Sequence, residues 1–99
     1  MHAVAYLVTP APETRQELLQ TLRSLGEEIR RAPGCLVCSV CREENDELFI
    51  VVSGWKTRPD LARHMKSEHF RILSGASRLL GAPAEIGFLT SEPFDTALP

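Results

Sequence analysis

Long apolar runs are missing from this sequence of 99 residues. Its longest uninterrupted apolar stretches, Ala3 to Val8 and Leu48 to Val52, are far shorter than the roughly 20 residues that a membrane-spanning helix needs. The N-terminal residues also lack the basic segment and the long apolar stretch of a secretory signal peptide. These absences argue against a membrane partner and predict a cytoplasmic protein.

A basic block is also absent. The chain has 11 Lys and Arg residues against 13 Asp and Glu residues, a net charge of -2. Proteins that bind nucleic acid normally present a clustered face of Lys and Arg to the phosphates, so we expect no nucleic acid partner. The 43% hydrophobic and 24% charged residues are typical of a soluble globular protein. The length predicts a single domain, residues 1–99, with one core.

The chain has three cysteines, Cys35, Cys38 and Cys41. A number this small, and odd, argues against a disulfide framework. Their stretch is predicted to be a strand, in which residues three apart point to opposite faces. Such cysteines do not converge on one ion, so we predict packing roles and no metal site. A metal or redox role for the trio is the alternative interpretation.

Apolar periodicity predicts the first half of the fold. His2 to Val8 is rich in β-forming residues and is followed by two prolines, which predicts a strand. The segment from Glu13 to about Arg31 carries apolar residues at spacings of four, three and four, which predicts one face of a helix. Pro33 and Gly34 end it. Cys35 to Arg42 and Leu48 to Trp55 then read as a hairpin of two strands.

The second half of the chain is predicted to contain a helical region followed by a last strand. Thr57 is a predicted N-cap, and a second helical piece runs from about Phe70 to Leu80. Ala84 to Thr90 is a predicted last strand, and the tail from 91 to 99 is predicted to be loosely ordered. The order βαββαβ predicts an α+β, ferredoxin-like fold with a four-stranded antiparallel sheet and helices on one face.

The strand after the hairpin turn has apolar side chains on both faces. Phe49 and Val51 alternate with Ile50 and Val52, where a half-buried antiparallel sheet would alternate apolar with polar residues. The chain's own helices cover only one face. We therefore predict a homodimer in which a second subunit covers the other face.

These motifs together resemble the antibiotic biosynthesis monooxygenase (ABM) family of dimeric α+β barrels. The resemblance lies in the Pro33-Gly34 turn, the strand ending in Trp55, and the run from His64 to Phe70, His-Met-Lys-Ser-Glu-His-Phe. It implies a pocket in each subunit between helices and sheet. Characterised members include oxygenases that oxidise quinols or polycyclic phenols with O2 and without metal or flavin, and relatives that cleave haem.

The sequence departs from the family pattern at three places, one of which is Ser53, where the family frequently has a charged residue two places before the tryptophan. Active relatives often carry an asparagine on the first strand, whereas the only asparagine here is Asn45, in a turn. Haem-degrading relatives use a histidine on the helix beyond the Phe70 position, and Arg71 to Leu80 contains none. Haem cleavage is therefore the less favoured prediction.

Oxidation without a cofactor needs a base that deprotonates the substrate, and histidine suits that role near neutral pH. The candidates are His64 and His69, of which His64 is favoured as the catalytic residue. On one continuous helix they would point about 140° apart, so both reach one pocket only if the helix breaks near Ser67. The structural alternative is a histidine that packs between helix and sheet.

Trp55 is the second catalytic candidate, as a wall of an aromatic pocket and a donor through its indole N–H; the alternative is plain core. The predicted substrate-binding residues are Tyr6, Ser39, Ser53, His69 and Phe70. The resulting hypothesis is a monooxygenase that oxidises a quinol or related aromatic with O2 and no cofactor. The alternative is a non-catalytic dimeric barrel that binds a hydrophobic or aromatic small molecule.

Overall fold

The computed structural model describes residues 1–45 and 47–90 and confirms the α+β fold. The tail from 91 to 99, predicted to be loosely ordered, lies outside the described residues. The elements in chain order are β1 (His2–Val8), a 3-10 turn (Pro12–Thr14), α1 (Arg15–Arg30), β2 (Cys35–Arg42), β3 (Phe49–Trp55), α2 (Arg58–Met65), α3 (Glu68–Leu80) and β4 (Glu85–Thr90).

The four strands form one antiparallel sheet in the order β2-β3-β1-β4. Val4 lies opposite Ser53 and Tyr6 lies opposite Val51, so the even residues of β1 share a face with the odd residues of β3. This face carries the core, in which Phe49 and Val51 pack with Tyr6 and the buried stripe of α1. Leu18, Leu22, Leu25 and Ile29 form that stripe, as their spacing predicts.

The first helix begins at Arg15, two residues after the predicted Glu13. The Thr14 hydroxyl donates a hydrogen bond of 2.6 Å to the carbonyl of Leu80, at the end of α3. Thr14 has φ and ψ of -119° and 10°, outside the helical range, and its side chain makes no capping hydrogen bond to α1. The preceding residues form a 3-10 turn instead.

The second helical region consists of two helices, α2 and α3, each of which begins at a side-chain cap. The Thr57 hydroxyl accepts a hydrogen bond from the Asp60 amide at 3.2 Å, which confirms Thr57 as the cap of α2. The Ser67 hydroxyl accepts one from the Phe70 amide, also at 3.2 Å. Because Ser67 is a cap in extended conformation, α2 ends before it and α3 begins anew at Glu68.

The face of the sheet opposite the core holds Ala5, Leu7, Ile50 and Val52. All four are half-buried, and none belongs to the core cluster. The helices therefore cover the core face of the sheet and leave this apolar face uncovered. Within the described ranges, no helix is long and apolar enough to cross a membrane.

Candidate functional site

Four aromatic rings meet between α2, α3 and the sheet. The imidazole of His64 stacks on the indole of Trp55, with ring centroids 4.6 Å apart and planes 23° from parallel. Phe70 meets His64 edge to face at 5.7 Å and meets Tyr6 in the same way at 5.5 Å. Edge-to-face and offset-stacked pairs are the favoured aromatic geometries. We refer to Tyr6, Trp55, His64 and Phe70 as the aromatic cluster.

Local structure explains why His64 meets Trp55. Trp55 is the last residue of β3 and lies on the core face, two residues after Ser53. The Thr57 cap starts α2 directly behind it, so the last turn of this short helix returns over the indole. His64 is consequently buried, with 5% of its surface exposed.

The indole N–H of Trp55 already has a partner. It donates a hydrogen bond of 3.0 Å to the Ser53 hydroxyl, and both side chains are buried. A buried Trp usually finds such a partner. Trp55 therefore presents its ring, not its N–H, to the space around the cluster.

A cavity of about 70 Å³ lies beside the His64–Trp55 stack. His64 and His69 both line it, because the break at Ser67 places them on separate helices. Its other lining residues are Ala32, Pro33, Trp55, Asp60, Arg63 and Ser67. We refer to it as the histidine cavity.

The two histidines differ in their surroundings. Burial, together with the nearby charge of His69, lowers the pKa of His64 to about 4, so His64 is neutral at physiological pH. His69 is half-buried and pairs with Glu28 of α1, with 3.2 Å between Nε2 and Oε2. The carboxylate fixes the orientation of the His69 ring at the cavity wall.

Asp60 supplies a fixed negative charge at the same cavity. The hydrogen bond that the Thr57 hydroxyl donates to its carboxylate lowers the pKa of Asp60, and Arg63 acts in the same direction. The carboxylate therefore stays ionised near neutral pH.

An open groove of about 300 Å³ lies on the outer side of the break between α2 and α3. Its lining residues are Met65, Lys66, Ser67, Phe70, Arg71 and Ser74. Ser67 lines both the groove and the histidine cavity. Phe70 lines the groove and also contacts His64, which lines the histidine cavity. We refer to this space as the outer groove.

The structure brings six of the seven predicted site residues together: Tyr6, Ser53, Trp55, His64, His69 and Phe70. It does not bring Ser39 to them. Ser39 lies opposite Val52 and is exposed on the other face of the sheet, because its neighbour Cys38 points into the core.

Sequence reasoning missed Asp60, Arg63 and Glu28 as neighbours of the histidines. The Thr57–Asp60 spacing signals a helix cap and thus the place of Asp60, but it does not signal that a cavity lies beside it. Glu28 pairs with His69 across 41 positions, a distance at which no local pattern operates.

The cysteines do not form a site with one another. Cys38 is buried in the core, where burial raises the pKa of its thiol to about 11, so it stays protonated. Cys41 is exposed on the opposite side of the same strand. Within residues 1–45 and 47–90, no group of three His, Cys, Asp or Glu side chains is placed to hold a metal ion.

Solved structures of the same architecture are numerous, and three illustrate the range. PA3566 from Pseudomonas aeruginosa is 27% identical, with a TM-score of 0.80 over 93% of this chain and 94% of that one. Rv0793 from Mycobacterium tuberculosis is 19% identical, with a TM-score of 0.84 over 96% and 98%. A variant of SnoaB, a cofactor-independent oxygenase from Streptomyces nogalater, is 18% identical, with a TM-score of 0.80 over 97% of each chain.

Family membership rests on sequence as well as on shape. No curated protein has a significantly similar sequence. The family model for antibiotic biosynthesis monooxygenase, however, matches residues 1–73, which contain the whole aromatic cluster and both cavity histidines. The chain therefore belongs to the antibiotic biosynthesis monooxygenase family.

Proposed function

We propose that this protein is a cytoplasmic, homodimeric monooxygenase that oxidises a quinol or a related electron-rich aromatic with O2 and without a cofactor. The observation that carries the proposal is the neutral imidazole of His64, held against Trp55 at the wall of a cavity. The fold likeness to SnoaB, a cofactor-independent oxygenase, agrees with it.

The reaction places two demands on the protein. For a hydroquinone, one oxygen atom enters the product, the other leaves as water, and the substrate supplies all four electrons, giving a hydroxyquinone. O2 accepts the first electron most readily from the deprotonated substrate, so the site needs a proton acceptor and an apolar, aromatic surrounding. His64 is the proposed acceptor, since its ring is neutral and keeps one nitrogen lone pair at pH 7.

The low basicity of His64 has a cost that can be estimated. Moving a proton from a phenol with a pKa of about 10 to an imidazole with a pKa of about 4 costs about 8 kcal/mol, at 1.36 kcal/mol per unit. That is about half of the barrier of an enzyme that turns over about 10 times per second. This proton transfer is therefore compatible with turnover when the deprotonated substrate then loses an electron to O2.

Space in the site suggests where the substrate binds. Ligand pockets usually measure about 300 to 1,000 Å³, so the histidine cavity, at about 70 Å³, is too small for an aromatic ring system. The outer groove, at about 300 Å³, reaches that range and is bounded by Phe70. We propose that the substrate enters from the outer groove and displaces the Phe70 ring to reach His64.

Oxygen uptake by the metal-free protein tests this function. Hydroquinones, naphthoquinols and anthrones are supplied to the wild type and to His64→Phe, which keeps an aromatic ring on Trp55 but has no proton acceptor. We expect protein-dependent uptake in the wild type and a loss of about 100-fold or more in the variant. Absence of uptake above the spontaneous rate with every compound would refute the proposal.

A non-catalytic barrel that binds an aromatic molecule is the second candidate. It is favoured by the hydrogen bond that occupies the Trp55 N–H, and by the absence of an asparagine from β1. Trp55 is the only tryptophan, so its fluorescence reports binding directly. Quenching by the same compounds without oxygen uptake would identify this function. A Soret band on haem titration would identify haem binding, which the lack of histidine in 71–80 disfavours.

A further inference from the structure

A second pocket lies away from the aromatic cluster, between the first half of α1 and the turn end of the β2–β3 hairpin. It has a volume of about 310 Å³. Its lining residues are Arg15, Gln16, Leu19, Gln20, Arg23, Arg42 and Phe49. None of them lines the histidine cavity or the outer groove. We refer to it as the arginine pocket.

Helical spacing assembles the cationic wall. Arg15, Leu19 and Arg23 follow one another at intervals of four, so they share one stripe of α1. Leu19 and Phe49 are buried, which gives the pocket an apolar floor. Arg42, the last residue of β2, lies on the opposite wall. No acidic residue lines the pocket among the described residues.

The guanidinium groups of Arg15 and Arg23 have no partner among the described residues. Nε of Arg15 is buried and has no hydrogen-bond partner, and within the described ranges neither Arg15 nor Arg23 forms a salt bridge. Two other arginines do have protein partners. Arg63 pairs with Asp60 at 3.1 Å, and Arg30 donates to the Cys38 carbonyl at 2.9 Å.

A buried donor without an acceptor is costly, because it has given up its hydrogen bonds to water. It is tolerated in a binding site, where a ligand supplies the missing acceptor. Guanidinium groups bind planar or tetrahedral oxyanions through two parallel N–H donors. Two such groups match a ligand of about two negative charges.

We propose that the arginine pocket binds a small organic molecule through a doubly charged oxyanion group, either a phosphate or a pair of carboxylates. Arg15 and Arg23 hold the oxyanion, and the Gln16 and Gln20 amides bind polar atoms of the remainder. The volume exceeds what a bare phosphate fills, so the pocket has room for an organic part.

Calorimetric titration at low salt tests the proposal, with inorganic phosphate, phenyl phosphate and succinate as probes. We expect at least one probe to bind at millimolar or lower concentration, and Arg15→Gln or Arg23→Gln to weaken it 10-fold or more. Arg58→Gln is the matched control, since Arg58 is exposed on α2 and lines none of the three spaces. Tighter binding of the phosphates or of succinate identifies which oxyanion the pocket prefers.

A second variant separates binding from a structural role. Arg15→Met removes the unpartnered donor and retains an unbranched chain of similar length. We expect it to bind none of the probes and to melt at the same temperature as the wild type or higher. The proposal is overturned if no probe binds the wild type, if Arg58→Gln weakens binding as much as Arg15→Gln, or if Arg15→Met is clearly destabilised.

Discussion

The imidazole of His64 lies nearly flat on the indole of Trp55, 4.6 Å away between ring centroids. A protonated imidazole in this position would gain about 1 to 2 kcal/mol from the cation–π interaction. Burial nevertheless lowers the pKa of His64 to about 4. Loss of water around the ring therefore outweighs the attraction of the indole face for a cation, and the stack is one of two neutral rings.

The depressed pKa predicts a pH-dependent stability. The unfolded chain, with a histidine pKa of about 6.5, takes up a proton as the pH falls from 6.5 to 4, whereas folded His64 does not, so the free energy of unfolding falls. The expected loss is about 3 kcal/mol. Chemical denaturation at several pH values should show this slope in the wild type and a flatter one in His64→Phe. Parallel profiles for the two proteins would contradict the prediction.

The hydrogen bond from Trp55 to Ser53 predicts the cost of removing the hydroxyl. Ser53→Ala leaves the buried indole N–H without its acceptor, which should lower the free energy of unfolding by about 1 to 3 kcal/mol. Ser24→Ala on the exposed side of α1 is the control and should be neutral or slightly stabilising.

A double-mutant cycle attributes this cost to the bond. Trp55→Phe removes the N–H, so Ser53→Ala should cost less in that background than in the wild type. Equal costs in both backgrounds would mean that Ser53 stabilises the fold by packing and not through this bond.

Local patterns predicted most of the fold. The spacing of Leu18, Leu22 and Leu25 placed α1, and the cap at Thr57 placed α2, because each signal is confined to residues three or four apart. The start of α1 was misplaced for a tertiary reason, since Thr14 bonds to Leu80, 66 positions away. The start of α3 at Glu68 had a local signal, the Ser67 cap, that the sequence interpretation did not use.

The candidate site was harder to predict because it depends on register and on long-range pairing. Ser39 and Ser53 both appeared to face a ligand, but the register pairs Ser53 with Cys38 and sends Ser39 to the other face. That register runs unshifted from Arg42 opposite Phe49 to Val37 opposite Gly54, so it is set at the hairpin turn, and the irregularity between Cys35 and Val37 lies beyond both serines. His64 and His69 line the same cavity because the helix breaks between them. Helical geometry predicted that both would reach one pocket only if the helix broke near Ser67.

Gly34 and Gly75 make a matched pair for a backbone prediction. Gly34 has a φ of +84°, and a Cβ there would overlap the carboxyl group of Asp60, so Gly34→Ala should be destabilising by more than 1 kcal/mol. Gly75 lies inside α3 with open space around it, so Gly75→Ala should stabilise by about 1 kcal/mol. Thermal unfolding of both variants checks the signs. Tolerance of alanine at Gly34 would show that α2 shifts easily from the turn.

The apolar sheet face predicts the effect of a charge placed on it. Val52 lies on the central strand β3, on the face that the helices leave uncovered, and the proposed homodimer buries it. Val52→Lys would bury an unpaired charge between two sheets, which costs several kcal/mol, so the dimer should dissociate. The fold of the subunit should persist, because this face contributes nothing to the core cluster.

Sedimentation equilibrium at micromolar concentration measures the outcome, with circular dichroism to check the fold. Ile72→Lys is the control, since Ile72 is an exposed apolar residue of α3, 44% accessible, and lies away from the sheet face. We expect a dimer for the wild type and for Ile72→Lys and a folded monomer for Val52→Lys. A monomeric wild type would contradict the sheet-to-sheet dimer, and a dimeric Val52→Lys protein would place the interface on another surface.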